Sequence, residues 1–251
     1  MTNTDTVDLI EVAGLSVEVV RKAIKNLHVG VYPPEGHVRV AASPSISLDA
    51  IRLAVLTRIA WIRRKQEEFR RQARETPRRF VSGETHYVFG RPCRLEVRSE
   101  ASRPTLVVAP GNRLLMVARR GSDAGDRERQ MARWRRQTLR EQAAPRIAKW
   151  VDRLAIDAPS WGVRRMKTKW GSCNAGAGWI WLNLELAKKP LVCLDYVILH
   201  EMAHFLSPKH DDAFVAILDR EMPTWRQVRA NLNMLPLAFE TSFAGQRRMS
   251  P

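Results

Sequence analysis

Apolar and polar residues change period several times along the chain. Leu27, Val29 and Val31, and then Val38 and Val40, alternate with polar residues on either side of the turn-like PPEGH, which predicts a small antiparallel hairpin. From Leu48 the period becomes helical: Leu48, Ile51, Val55, Ile59 and Ile62 recur on one face behind Ser47, a residue type suited to the N-cap. RRKQEEFRRQARE should continue that helix as a solvated end until Pro77 stops it. Residues 79–118 return to short apolar runs (HYVFG, CRLEV, TLVVAP, RLLMVA) bounded by Gly, Pro, Asn or Ser, the pattern of a strand meander. Between Asp126 and Leu154 the stripe Met131, Trp134, Ile147, Trp150, Val151 and Leu154 predicts a charged helix that Pro145 should kink or divide. Alternation resumes from Trp179 to Leu184, with Ile180, Leu182 and Leu184 on one face and Trp179, Trp181 and Asn183 on the other. A mostly buried helix should follow Pro190, carried by Leu191, Leu194, Val197, Ile198 and Met202. No internal repeat is visible in the residues.

With 251 residues, 45% of them hydrophobic, the chain can bury a core as one large domain or two small ones. No window approaches the roughly 18 consecutive apolar residues of a membrane span, and MTNTDTVDLIEV lacks a signal-peptide pattern, so a cytoplasmic location is expected. Cys93, Cys173 and Cys193 are far apart, which supports neither a disulfide framework nor a cysteine zinc site. The net charge of +16 favours polyanionic partners, nucleic acid or nucleotides among them, without choosing one. Arg-rich RERQMARWRRQTLREQ could grip a phosphate backbone with Trp134 as a stacking platform; the helical register of Trp134 with Met131 favours a core anchor instead.

One stretch concentrates the chemistry. VILHEMAHFLSPKH carries His200 and His204 at i and i+4, one face of a helix, where two imidazoles can reach the same cation. Zinc lowers the pKa of a water it holds toward about 7, and an adjacent carboxylate, here Glu201, can take that proton and return it to a leaving group. A hydrolytic zinc site uses three protein ligands and one open position. His210 is the candidate third ligand, because Ser207 and Pro208 break the helix and let the chain turn back. Asp211 or Asp212 could cap the next helix or orient a ligand imidazole. The other histidines, His28, His37 and His86, have no partner at ligand spacing and are expected at the surface. Upstream, Trp179, Trp181 and Asn183 lie on a strand whose free edge would align an extended peptide by main-chain hydrogen bonds. In WGSC, Ser172 and Cys173 have no base at identifiable spacing, which favours a packing role for both.

The segments KTKWGSC, GWIWLNLEL, LDYVILHEMAH and KHDDAF, in that order, resemble the YgjP-like metallopeptidases, a family also called DUF45 and related to the SprT-like and WLM zinc proteases. The resemblance implies an α+β fold, with a minimal zincin-like core over 121–251 preceded by a β-rich region with one long helix over 1–120. It implies Zn2+ on His200, His204 and His210, with Glu201 as the catalytic acid/base. Three functions fit the residues. The first is a zinc-dependent peptidase acting on peptide or protein. The second is a metal-dependent nucleoside triphosphate pyrophosphatase using Arg164, Arg165, Lys167 and Lys169 against phosphate charge. The third is a nucleic-acid-associated protein with structural zinc, which the presence of Glu201 argues against.

Overall fold

A computed structural model describes residues 7–32, 36–71, 78–100, 103–166 and 168–234. The chain divides into two compact units, Met1–Glu75 with Pro236–Pro251, and Thr76–Leu235. Among the described residues there are six helices and three small sheets, an α+β fold.

The first unit pairs strands β1 (Val7–Val12), β2 (Leu15–Arg21), β3 (His28–Tyr32) and β4 (His37–Ala42) in the order β1-β2-β4-β3. The expected hairpin is β3 against β4, in the register Val29↔Val40 and Val31↔Val38. Alternate residues Val17, Val19, Val38 and Val40 bury one face against Ile51, Val55 and Ile62. Ser47 caps α1 (Leu48–Leu56) by accepting from the Ala50 N–H. The single long helix expected here is interrupted before α2 (Ile59–Arg71). The Ala54 carbonyl is taken by the side chains of Thr57 and Arg58, and the Arg58 N–H turns to Val55, three residues back. The expected continuation toward Pro77 lies outside the described residues.

In the second unit the runs of 79–118 form β5 (Thr85–Val88), β6 (Arg91–Glu100), β7 (Thr105–Ala109) and β8 (Arg113–Arg119). They do not form a simple meander: the order is β5-β6-β8-β7, with β6 and β8 parallel. This is the topology of the first sheet again, hairpin, parallel crossover and hairpin, with a helix following. The first hairpins of both sheets even turn through the same two-residue loop, Ala13–Gly14 and Phe89–Gly90, with left-handed backbone at both positions. The repeat is one of topology.

Helix α3 (Ala124–Leu154) begins in a capping box between Asp123 and Asp126 and runs undivided through Pro145. Its first half packs on β5–β8: Met131 joins Leu95, Leu114 and Met116, Trp134 lies against this cluster as the register predicts, and Gln130 donates to the Thr105 and Val117 carbonyls. Those strands therefore belong with the region that follows them, and the division falls after Glu75 rather than at residue 120. The second half of α3, from Leu139 to Leu154, enters a second core with Ile180, Leu182 and the helices beyond.

That second core contains β9 (Ser160–Arg164), β10 (Gly171–Asn174), β11 (Trp179–Asn183), α4 (Leu191–Ala203), α5 (Asp212–Glu221) and α6 (Trp225–Met234). The sheet order is β10-β11-β9, so β11 is the central strand, paired on both sides, and the expected free edge on Trp179–Leu184 is corrected: the edge beside α4 is β10. Trp181 lies flat across the sheet because its neighbour is Gly162, where a Cβ would come within 2.5 Å of the ring. The left-handed Phe89 and Gly90 donate to the Ala187 and Lys188 carbonyls and so tie the β5–β6 hairpin to the lead-in of α4.

His86 departs from expectation. It is 2% exposed, stacked on Phe80 and hydrogen-bonded to Glu84, whereas His28 and His37 are exposed as predicted. It alternates with the outward residues of β5, and a single strand sequence does not say which face is buried.

Candidate active site

Helix α4 ends at the site. Pro190 precedes it, apolar residues bury most of its surface, His200 and Glu201 lie in its last turn, and His204 is its C-cap. The Ser207–Pro208 break reverses the chain, and Asp211 starts α5 by accepting from the Phe214 N–H and the Ser207 hydroxyl. Asp211 thus serves as a cap and holds the loop; among the described residues neither it nor Asp212 bonds an imidazole. The reversal returns His210 to the helix. Donor nitrogens of His200, His204 and His210 lie within 4.8 Å of one another, and Nε2 of His200 and Nε2 of His210 are 3.1 Å apart.

The donor chemistry suits a cation. Burial and the two neighbouring imidazoles push His200 down to about 3, and burial also lowers His204, so both are neutral near pH 7 with lone pairs available. Nδ1 of His204 faces the Ser207 carbonyl at 3.3 Å. A carbonyl only accepts, so Nδ1 carries the proton and Nε2 is the free donor. Two nitrogens on a tetrahedral zinc with bonds of about 2.0–2.1 Å sit roughly 3.3 Å apart, close to the His200–His210 separation. Beneath all three rings lies Phe214, with centroids 4.7 to 5.0 Å from each imidazole. The sequence carries no signal for this role, since Phe214 reads as an ordinary apolar position of α5.

Glu201 is 6% exposed. Burial raises its carboxyl to about 7, against the opposing pull of Lys169 and a hydrogen bond from the Cys173 backbone N–H. Gly171 makes room for it: a Cβ there would stand 2.5 Å from Oε1 of Glu201. The WGSC motif thus supplies one position that must lack a side chain and one N–H that holds the carboxylate. Burial and the Glu201 charge raise the Cys173 thiol to about 11, so it is no nucleophile at neutral pH.

These residues open into a cleft of about 1210 Å³ between the β10 side of the sheet and α4–α6. Trp181 lines it, whereas Trp179 lies tilted against Trp181 with ring centroids 5.3 Å apart and is not among the lining residues. Asn183 has other partners: its amide accepts from the Met166 and Glu185 N–H groups and donates to the Met166 and Lys169 carbonyls, fastening the loop that leads into β10. Of the four upstream cations, Arg164 and Lys169 face the cleft, Arg165 pairs with Glu128 at 3.6 Å, and Lys167 lies outside the described residues. Tyr196, a buried residue at the cleft wall, stacks on Trp225 and lies tilted against His200. Among the described residues, no helix is long and apolar enough to cross a membrane.

No curated protein matches this chain. Solved structures similar to it include the metallopeptidase zymogens abylysin of Pyrococcus abyssi (17% identity, TM-score 0.34, 36% of this chain and 90% of that one) and jannalysin of Methanocaldococcus jannaschii (21% identity, TM-score 0.34, 36% and 87%). The family model of the YgjP-like metallopeptidase domain matches residues 26–235, from β3 to just past α6, and the chain belongs to that family of metallopeptidases.

Proposed function

We propose that this metallopeptidase is zinc-dependent, with His200, His204 and His210 as the metal ligands and Glu201 as the general base. A divalent metal and a peptide or protein substrate come with the family. The observation that carries the finer reading is the convergence of three imidazoles, on a helix end and the loop after it, beside one buried carboxylate. Three nitrogen donors with a fourth position open is the donor set of hydrolytic zinc. When bound, zinc would polarise the scissile carbonyl and make a water acidic enough to lose a proton near neutral pH.

Glu201 takes that proton and delivers it to the departing amine, a task suited to a carboxyl raised by burial. The Cys173 N–H and the gap at Gly171 fix its rotamer before substrate arrives. Peptide alignment falls to β10. The Trp170 carbonyl accepts from Asn183 in β11, so strand alternation turns the backbone of Gly171 and Cys173 away from the sheet. The Cys173 N–H is used by Glu201; the remaining outward groups can pair with an extended substrate, with Trp181 against a substrate side chain.

The test is to load the protein with zinc, add an unfolded proteome and identify new peptide N-termini by mass spectrometry. Wild type should generate them. Glu201→Gln should bind zinc with turnover lowered by about 10²–10⁴-fold, and His204→Ala should lose both zinc and turnover. Undiminished cleavage by Glu201→Gln would remove Glu201 as the base.

A further inference from the structure

We propose that the cleft selects peptides bearing an acidic side chain close to the scissile bond, and that Lys169 and Arg229 read it; this rests on the peptidase reading above. Among the described residues lining the cleft, Arg164, Lys169 and Arg229 are cations and Glu201 is the one carboxylate, already committed to the chemistry. A cation on the histidines makes the balance more positive still.

The two reading residues approach the reacting atoms from different sides. Lys169 precedes β10 and lies close enough to Glu201 for its charge to act on that carboxyl. Arg229, on α6, acts in the same way on His200 and Tyr196. Both are exposed, and neither forms an ion pair among the described residues. Their neighbours differ: Arg220 is paired with Glu221 and Arg226 with Asp219. The unit thus gives Arg220 and Arg226 carboxylate partners, whereas Lys169 and Arg229, which line the cleft, have none among the described residues. In a concave wall, uncompensated charge focuses the field on an incoming anion and repels a cation. Arg164, held 4.8 Å over the Trp181 ring, extends the positive wall along the sheet.

The experiment uses the full-length, zinc-loaded protein. Residues flanking each cleaved bond in a peptide library are counted, and kcat/KM is then measured on matched fluorogenic peptides with Asp or Lys at the favoured position. Asp should exceed Lys by roughly tenfold or more, less at high salt. Lys169→Ala and Arg229→Ala should each shrink that ratio several-fold. A double charge reversal, K169E with R229E, should invert it, and cleavage of the Lys peptide by that variant would show that it is folded. Should the double variant not fold, the two single ratios decide. Cleavage without acidic preference, or a preference unchanged in both single variants, overturns the proposal and leaves the peptidase reading intact. Failure of wild type to cleave any peptide overturns both.

Discussion

Gly171 and Glu201 occupy one volume between them, and neither position can be understood without the other. Gly171→Ala introduces a Cβ 2.5 Å from Oε1 of Glu201, so the carboxylate must move. The expected result is a fall in kcat of at least about tenfold, since small misplacements of a catalytic group are costly. Zinc content, measured by mass spectrometry, should be unchanged because the proposed ligands His200, His204 and His210 are other residues. Phe214 makes the opposite prediction. It touches all three imidazoles and is 2% exposed, so Phe214→Ala should cost about 3–5 kcal/mol of stability. It should also weaken zinc affinity, read by competition with a chelator, because the rings lose the surface that holds them together.

At the scale of the element, the site depends on how β10 and α4 are fastened. Asn183 ties the approach to β10 through bonds to Met166, Lys169 and Glu185, so Asn183→Ala should destabilise the protein by about 2–3 kcal/mol in denaturant unfolding. A residue that bound substrate directly would instead raise KM at unchanged stability. The C-cap of α3, Ala155, has a left-handed backbone with φ of 50°. Removing its Cβ should help there: Ala155→Gly is expected to raise stability by about 0.5–1 kcal/mol, seen as a higher denaturation midpoint at unchanged slope. The sequence already marked α3 and α4 by their stripes and β11 by its alternation. It could not say which strand of the sheet is the edge, because strand order is set by what pairs across the chain. The break between α1 and α2 was also hidden, since it comes from Thr57 and Arg58 side chains competing for one carbonyl inside an otherwise regular stripe.

For the whole molecule, pH acts through a group far along the chain from His200, His204 and His210. Burial first, and then the Arg135 and Arg78 charges, lower His86 to about 4, with Glu84 opposing. An unfolded chain takes that proton near the ordinary 6.5, so between 6.5 and about 4 the unfolded state binds more protons. The stability gained by keeping His86 neutral is complete above 6.5 and is lost as pH falls through about 4. Unfolding free energies from pH 8 to 4 should therefore fall more steeply for wild type than for His86→Gln. Equal slopes would show that His86 does not titrate this way.

The residues by themselves determined the periodic elements, the N-cap at Ser47, the buried helix after Pro190 and the placing of His200 and His204 one turn apart with Glu201 between them, because period, cap and i,i+4 spacing are local properties of a chain. Tertiary structure alone decided the rest. It repeated one sheet topology in two units, joined β5–β8 through α3 to the core of β9–β11 and α4–α6, buried His86, made β10 the edge beside α4, and brought Gly171 against Glu201 and Phe214 beneath the three imidazoles. Each of these depends on which distant segments meet. That is fixed by burial of whole faces and by hydrogen-bond pairing across the chain, and no window of neighbouring residues contains it.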